Sequence, residues 1–194
     1  MANATAAAPQ FQQITYRVQD GLAIVTLNRP RVANAISRRM TRELDRAFDD
    51  ACLDDRVGCI VLLAAGKHFS SGHDLGTPEH FADKEFPQEL DRRPRGSYLK
   101  WYENDLQACS RWRRLRKPVV CAVQGLCVYH ATAVVACADV IVAADNLKYM
   151  PSLLEVNLFP WAAGLQVHKI KEIMLTQRFV LAPEALEVFI SPSL

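Results

Sequence analysis

The side chains able to do chemistry gather in two stretches. One is the loop Gly66-Lys67-His68-Phe69-Ser70-Ser71-Gly72-His73-Asp74-Leu75-Gly76, and the other is Gly125-Leu126-Cys127-Val128-Tyr129-His130-Ala131-Thr132. His130 carries an imidazole whose unperturbed pKa of ~6.5 suits it to take a proton near neutrality. Tyr129 or Asp74 could assist it. Each also has a plainer reading. His130 can be a packed, hydrogen-bonded residue, Asp74 a loop and helix N-cap residue, and His68 and His80 exposed side chains. No His, Cys or Asp cluster has metal-ligand spacing, so no metal site is expected. Neither Gly-x-x-x-x-Gly-Lys nor Gly-x-Gly-x-x-Gly occurs. Six cysteines (Cys52, Cys59, Cys109, Cys121, Cys127, Cys137) are scattered without a Cys-x-x-Cys and read as buried, reduced thiols. The run Arg111-Trp112-Arg113-Arg114-Leu115-Arg116-Lys117 holds five basic residues in seven. It could meet a phosphate, complement a helix C-terminus, or form a solvated face.

Elements of definite type must hold these stretches in place. Val119 to Val123 is an apolar, β-branched run between Pro118 and Gly125, the pattern of a buried strand. Ala131 to Ala138 is small and apolar without alternation, which predicts a helix packed on all sides. Val140 to Ala144 is a second buried strand. Strand, turn, helix, strand is a βαβ unit with parallel pairing. Ligands sit at the carboxyl ends of such strands, which places the chemistry around Gly125 to Thr132. Upstream, Ile14 to Val18 and Leu22 to Leu27 flank Asp20-Gly21, a hairpin signal. Ser37 is a good N-cap for a helix in which Met40, Leu44, Phe48, Ala51 and Cys52 share a face. Val57 to Ala65 is a strand that delivers the Gly66 to Gly76 loop. Residues 77–96 are polar, with three prolines, and predict a mobile excursion that is either a lid or a solvated loop. From Ser97 the pattern is helical, with Leu99, Tyr102, Leu106, Cys109 and Trp112 on one face. Gln166 to Leu175 and Pro183 to Val188 predict two further helices.

With 194 residues, half of them hydrophobic and 23% charged, the chain suits one soluble domain. The expected layout is a flexible tail over residues 1–13 and one domain over residues 14–194. A net charge of +2 gives no reason to expect nucleic acid or a membrane surface, and no apolar run approaches the ~20 residues of a membrane span. Met1 to Pro9 lacks the basic and apolar parts of a secretory signal, so a cytoplasmic protein is expected.

Four blocks in order resemble the crotonase (enoyl-CoA hydratase/isomerase) superfamily. They are Leu27-Asn28-Arg29-Pro30 with Asn34-Ala35-Ile36-Ser37, then Gly66 to Leu75, then Lys117 to Gly125, then Cys137 to Asp145. Together they span roughly residues 14–188. The resemblance implies an α/β fold, a spiral of repeated ββα units, assembling as a trimer or hexamer. It implies an acyl-CoA substrate without a further cofactor. A thioester that exchanges a proton at its α-carbon passes through an enolate, which two backbone N–H groups stabilise as an oxyanion hole, each donor worth ~3 kcal/mol. Matched by position, those donors are the N–H groups of His73 and His130, so His73 is expected to matter for its backbone rather than its ring. Arg29, Ala33 and Ala35 are expected along the CoA moiety, and Ser71 and Leu75 near the pantetheine channel. Gly72, Asp74, Gly125 and Tyr129 complete the expected substrate-binding set.

The departures from the family pattern shape the functional expectation. His130-Ala131 stands where the family has Gly-Gly. Ala133 and Leu153 stand where the hydratases carry two glutamates that position water and move protons. Glu155, two residues beyond the second, lies on the same face of an extended segment and could substitute, as could His130; Glu155 can equally be a surface or salt-bridged carboxylate. Past Glu187 the family continues into helices that cover the pocket, whereas here Ser191-Pro192-Ser193-Leu194 follows shortly, so the C-terminal helical part is expected to be missing. The leading expectation is an enoyl-CoA hydratase/isomerase-class enzyme. The alternatives are a C–C hydrolase or isomerase using His130 or Glu155, and a catalytically silent acyl-CoA-binding or assembly subunit. A His130 ring turned into a filled pocket favours the silent subunit; a ring beside an open channel with Glu155 in reach favours catalysis.

Overall fold

A computed structural model describes residues 11–82, 100–151 and 167–189. The chain is already anchored before the first strand, because the Gln12 and Gln13 N–H groups donate to the Glu43 carboxylate at 3.0 and 2.8 Å. The expected flexible tail of residues 1–13 is therefore shorter at its inner end; its residues 1–10 lie outside the described part.

β1 (Ile14–Gln19) and β2 (Leu22–Leu27) pair antiparallel with Gln19 opposite Leu22. Asp20 and Gly21 both have positive φ, at 50° and 79°, the mirror-image turn whose twist matches the flanking strands. α1 (Arg38–Leu53) follows. Ser37 caps it, its Oγ accepting the Met40 N–H at 3.2 Å. Met40, Leu44, Phe48 and Ala51 are buried as the spacing predicts, with Ala47 beside them, whereas Cys52 is only half-buried. β3 (Cys59–Ala64) pairs parallel with β2, then β4 (Val119–Val123) with β3, and β6 (Val140–Ala143) with β4. The five-stranded order is β1-β2-β3-β4-β6. Between β4 and β6 lies the all-buried helix α4 (His130–Ala136), which begins one residue earlier than the sequence pattern marked.

A second, three-stranded sheet was not legible in the sequence. It comprises β5 (Leu126–Val128), β7 (Lys148–Met150) and β8 (Val180–Leu181). Two isolated parallel bridges, Ser70 with Cys127 and Ile36 with His73, continue it. Each turn of the chain thus lays one strand in the large sheet and a shorter piece in the second layer: Ile36, then Ser70 to His73, then β5, β7 and β8. This is the spiral of repeated ββα units.

The long connection contains α2 (Pro78–Ala82), where the sequence predicts only a mobile excursion; the remainder, residues 83–99 with Leu99, lies outside the described part. A π-helical segment, Lys100–Gln107, runs into α3 (Ala108–Trp112). Trp112 packs edge-on against Phe48 with ring centroids 5.7 Å apart, and its indole N–H donates to Asp45 at 2.6 Å. Tyr102 is exposed rather than on the buried face. The basic run is largely committed within the protein. Arg111 pairs with Asp45 and Arg113 with Asp139 at 3.1 Å, and Lys117 donates to the Ala51 and Asp54 carbonyls at 2.8 and 2.7 Å. Lys117 therefore serves the C-terminus of α1, a neighbouring helix. α5 (Val167–Thr176) and α6 (Ala182–Phe189) close the described chain. No helix among the described residues is long and apolar enough to cross a membrane.

Candidate active site

The two chemistry-bearing stretches meet in the second layer. The Ser70 N–H donates to Leu126 O at 3.0 Å, and the Val128 N–H donates to Ser70 O at 3.2 Å. One residue further on, the loops nearly touch. A Cβ built on Gly72 would lie 2.8 Å from Tyr129 Cβ, 2.9 Å from Val128 O and 3.3 Å from His130 N. Gly72 also has φ +88°, so both space and backbone demand glycine. Tyr129, the N-cap of α4, holds an uncommon non-glycine φ of 54°. It is held there by its N–H donating to Met150 O at 2.8 Å and by its carbonyl accepting the Thr132 N–H and hydroxyl at 2.9 and 2.6 Å.

The backbone orientation at His73 follows from its bridge to Ile36. The Ile36 N–H donates to Gly72 O at 2.7 Å, and the Asp74 N–H donates to Ile36 O at 2.9 Å. In such a parallel bridge the N–H of the residue between, His73, is directed away from Ile36.

The side chains add what the backbone argument did not foresee. The His73 and His130 rings stack with centroids 4.1 Å apart and planes 10° from parallel. Asp105, from the π-helical segment, brings its Oδ1 to 3.9 Å from His73 Nδ1 and 3.7 Å from His130 Nε2. The side chain of His130 is 0% exposed, that of Asp105 10% and that of His73 17%. Sequence reasoning missed Asp105. Its only signal was a carboxylate on an otherwise amphipathic stretch, three positions from Tyr102 and one from Leu106, and π-helical turns often mark functional positions.

Several residues of the expected substrate-binding set hold the loop. Arg29 is buried, and its guanidinium donates to Asp74 at 2.8 Å, Ala35 O at 2.6 Å, Thr77 Oγ1 at 3.1 Å and Glu79 at 3.3 Å. The Arg29 guanidinium is thus engaged within the protein, where it braces the segment that carries Asp74. Asp74 is likewise committed: its carboxylate accepts the Gly76 and Thr77 N–H groups, the Thr77 hydroxyl and Arg29. Burial alone would push its pKa up; the Thr77 and Arg29 hydrogen bonds overcome this and hold it below the usual aspartate value. Ala33 is left-handed at φ 49°, and its carbonyl accepts the Ser71 N–H at 2.9 Å, while Ala35 is buried. Leu75 is exposed. Gly125 has φ +59°, and a Cβ there would lie 2.3 Å from Lys67 O, so it permits a chain crossing. His68 is half-buried rather than exposed, and its Nδ1 accepts the Leu126 N–H at 3.2 Å. His80 is also half-buried, edge-on to Phe81. Ala133 is fully buried in α4. Leu153 and Glu155 lie outside the described residues.

His73, Asp105 and His130 are also donor types that ligate metals, with one possible donor atom from each lying within 4.8 Å of the others. Spacing along the chain could not have shown this, because the three come from separate elements.

Comparison with known proteins agrees with the architecture. The sequence model of the enoyl-CoA hydratase/isomerase family matches residues 17–188. A trans-2-decenoyl-[acyl-carrier-protein] isomerase of Streptococcus mutans is 33% identical over 155 residues, covering 80% of this chain and 56% of that protein. Enoyl-CoA hydratase EchA19 of Mycobacterium tuberculosis is 30% identical over 176 residues, covering 85% of this chain and 61% of that protein. The crystal structure of an enoyl-CoA hydratase/isomerase from Xanthobacter autotrophicus Py2 superposes with a TM-score of 0.75 at 28% identity, covering 93% of this chain and 65% of that one. The chain thus spans about three-fifths of the length of these curated relatives. A match over nearly its whole length, on a spiral of ββα turns whose second layer joins the Gly72 and Tyr129 loops, means that this chain belongs to the enoyl-CoA hydratase/isomerase family.

Proposed function

We propose that this protein acts on acyl-CoA thioesters and stabilises a thioester enolate with the backbone N–H groups of His73 and His130. The observation that supports this most directly is the convergence of the two loops, where a Cβ on Gly72 would lie 3.3 Å from His130 N. Two donors from separate loops can address one oxygen only if their backbones approach this closely. Because the donors are main-chain groups, the pattern tolerates His at both positions. Each donor contributes ~3 kcal/mol of transition-state stabilisation, about a hundredfold in rate. The reading needs no cofactor beyond the thioester itself and carries with it assembly into a trimer or hexamer.

A second reading, a silent acyl-CoA-binding subunit, has its own support. The His130 ring is wholly enclosed, and Ala133 occupies a position where hydratases carry a glutamate. Calorimetric titration of the purified protein with crotonyl-CoA, followed by its enoyl absorbance, tests the proposal. Binding at micromolar concentration supports a thioester site. Binding of neither crotonyl-CoA nor a saturated acyl-CoA overturns both readings.

A further inference from the structure

Ion pairs account for only part of the basic run that the sequence marks out. Arg113 faces Asp139, and Lys117 serves α1. Arg111, Arg114 and Arg116 line a cleft of about 470 Å3 between the C-terminal end of α1 and the chain that runs from α3 to β4. That size lies within the range of small-molecule sites. α1 contributes Cys52 and Leu53 to the lining, and Leu115 adds a third apolar side chain. Leu53 is 77% exposed, and Cys52 and Leu115 are half-buried. A lone exposed leucine needs no explanation. Three apolar groups in one concavity beside three guanidinium groups have the composition of a ligand site, with a greasy lining and a few charged groups to fix orientation. Asp49 also lines the cleft, and Asp45 pairs with Arg111. Three guanidinium groups therefore stand against two carboxylates, a balance that favours an anion. No residue of the cleft belongs to the Gly72 or Tyr129 loop.

We propose that this cleft is a second binding site, for an aliphatic anion: an apolar chain that ends in a carboxylate or phosphate group. The head rests on Arg114 and Arg116, and the chain lies against Cys52, Leu53 and Leu115. A guanidinium is a planar, weakly hydrated fork that matches both carboxylate and phosphate oxygens. Arg114 and Arg116 are exposed, so their attraction alone is screened by salt and holds a bare ion weakly. The chain supplies the remainder, because each methylene removed from water tightens binding about fourfold. Neither part suffices alone, and that mutual dependence is the signature by which the site is recognised. Asp49 sets the direction. Its carboxylate on α1 repels the head and leaves the α1 end of the cleft to the chain. The proposal does not depend on the thioester reading, since the two sites share no residue.

The full-length protein is titrated calorimetrically with decanoate and with decyl phosphate, each below its micelle concentration, and with decanol and inorganic phosphate as the chain and the head alone. At least one of the two anions is expected to bind at sub-millimolar concentration, with decanol and phosphate at least about tenfold weaker. Tighter binding of decanoate supports the site and assigns it to carboxylates; tighter binding of decyl phosphate supports it and assigns it to phosphate esters. Location is read from Cys52, which lines the cleft, against Cys59, which does not. The bound anion should slow iodoacetamide modification of Cys52 and leave that of Cys59 unchanged. The double variant Arg114→Gln/Arg116→Gln should lose about tenfold in affinity. Leu53→Ser should lose several-fold through the chain, with both variants keeping the parent's urea midpoint because the altered side chains are exposed. Decanol that binds as tightly as the anions overturns the proposal, as does an affinity unchanged in the double variant. Binding that leaves Cys52 fully reactive places the ligand elsewhere and overturns it too, and so does no binding of either anion up to about 1 mM.

Discussion

Replacing Gly72 by alanine tests the geometry on which the site depends. A Cβ at this position meets Tyr129 Cβ at 2.8 Å and Val128 O at 2.9 Å, both shorter than ordinary contact, and neither neighbour is the end of a flexible chain. The backbone must also keep φ near +88° with a side chain attached, which costs about 1–2 kcal/mol for an L-residue. Overpacking in a well-fitted region costs about 1–3 kcal/mol more. Relaxation recovers some of this, so the expected loss is about 2–4 kcal/mol. With a urea m-value of about 2 kcal/mol/M, the unfolding midpoint should fall by about 1–2 M. Gly76, four residues on, provides the control. A Cβ there meets nothing within 4 Å, so Gly76→Ala should stay within about 0.5 kcal/mol of the parent. Both variants are unfolded in urea by far-UV circular dichroism and assayed for thioester binding. A Gly72→Ala protein with the parent's midpoint and the parent's affinity would refute the claim that the two loops meet as described.

Three further outcomes follow from the same structure. Arg29→Met should destabilise the protein by about 3–5 kcal/mol in urea unfolding, because it leaves Asp74 charged with its side chain only 1% exposed; an unchanged unfolding midpoint would refute this structural role. Asp74 has a folded pKa below its unfolded value, so its contribution is complete above the ordinary aspartate range and disappears as pH falls through the folded value. Unfolding midpoints from pH 6 down to pH 2 should therefore drop below about pH 4 in the parent, with a smaller drop in Asp74→Asn. Finally, burial first and a neighbouring thiol second push the Cys121 and Cys127 thiols well above the usual cysteine value. Iodoacetamide at pH 8 should leave both unmodified in the native protein while half-buried Cys52 and Cys59 react first, as peptide mapping would show.

The large sheet was legible because its cues are local. Asp20-Gly21 predicts the hairpin, Ser37 the start of α1, and the apolar runs at Val57 and Val119 the parallel strands. The second sheet was not, since β5 and β7 are three residues each and carry too few side chains for any period to emerge. The bridge of Ser70 with Cys127 also joins residues more than fifty apart. The same limit applies to the site. The resemblance led to His73 and His130 through their backbone positions. Nothing in either local sequence says that the rings stack, or that Asp105 lies beside them. Arg29 is a related case: an arginine in a motif that precedes a ligand loop reads as a ligand contact, and only the fold shows Asp74 facing it.

The Arg29–Asp74 pair bears on how the site is held. The His73 loop leaves β3, crosses Gly125 near Lys67 and His68, and returns to Ile36. Asn34, fully buried at φ 51°, holds its start, accepting from the Arg29 N–H and donating to Ala65 O and His68 O at 2.8 and 3.0 Å. Arg29 and Asp74 close the far side. A loop fixed at both ends by buried hydrogen bonds can present a backbone N–H in one direction without help from the side chain at that position. The side chain is then free to differ from the family pattern. At residue 130, where glycine would leave room, the imidazole instead fills the space against His73 and Asp105. Substitutions at His73 and His130 that alter only the ring should therefore spare thioester affinity, and substitutions at Gly72 should damage it first.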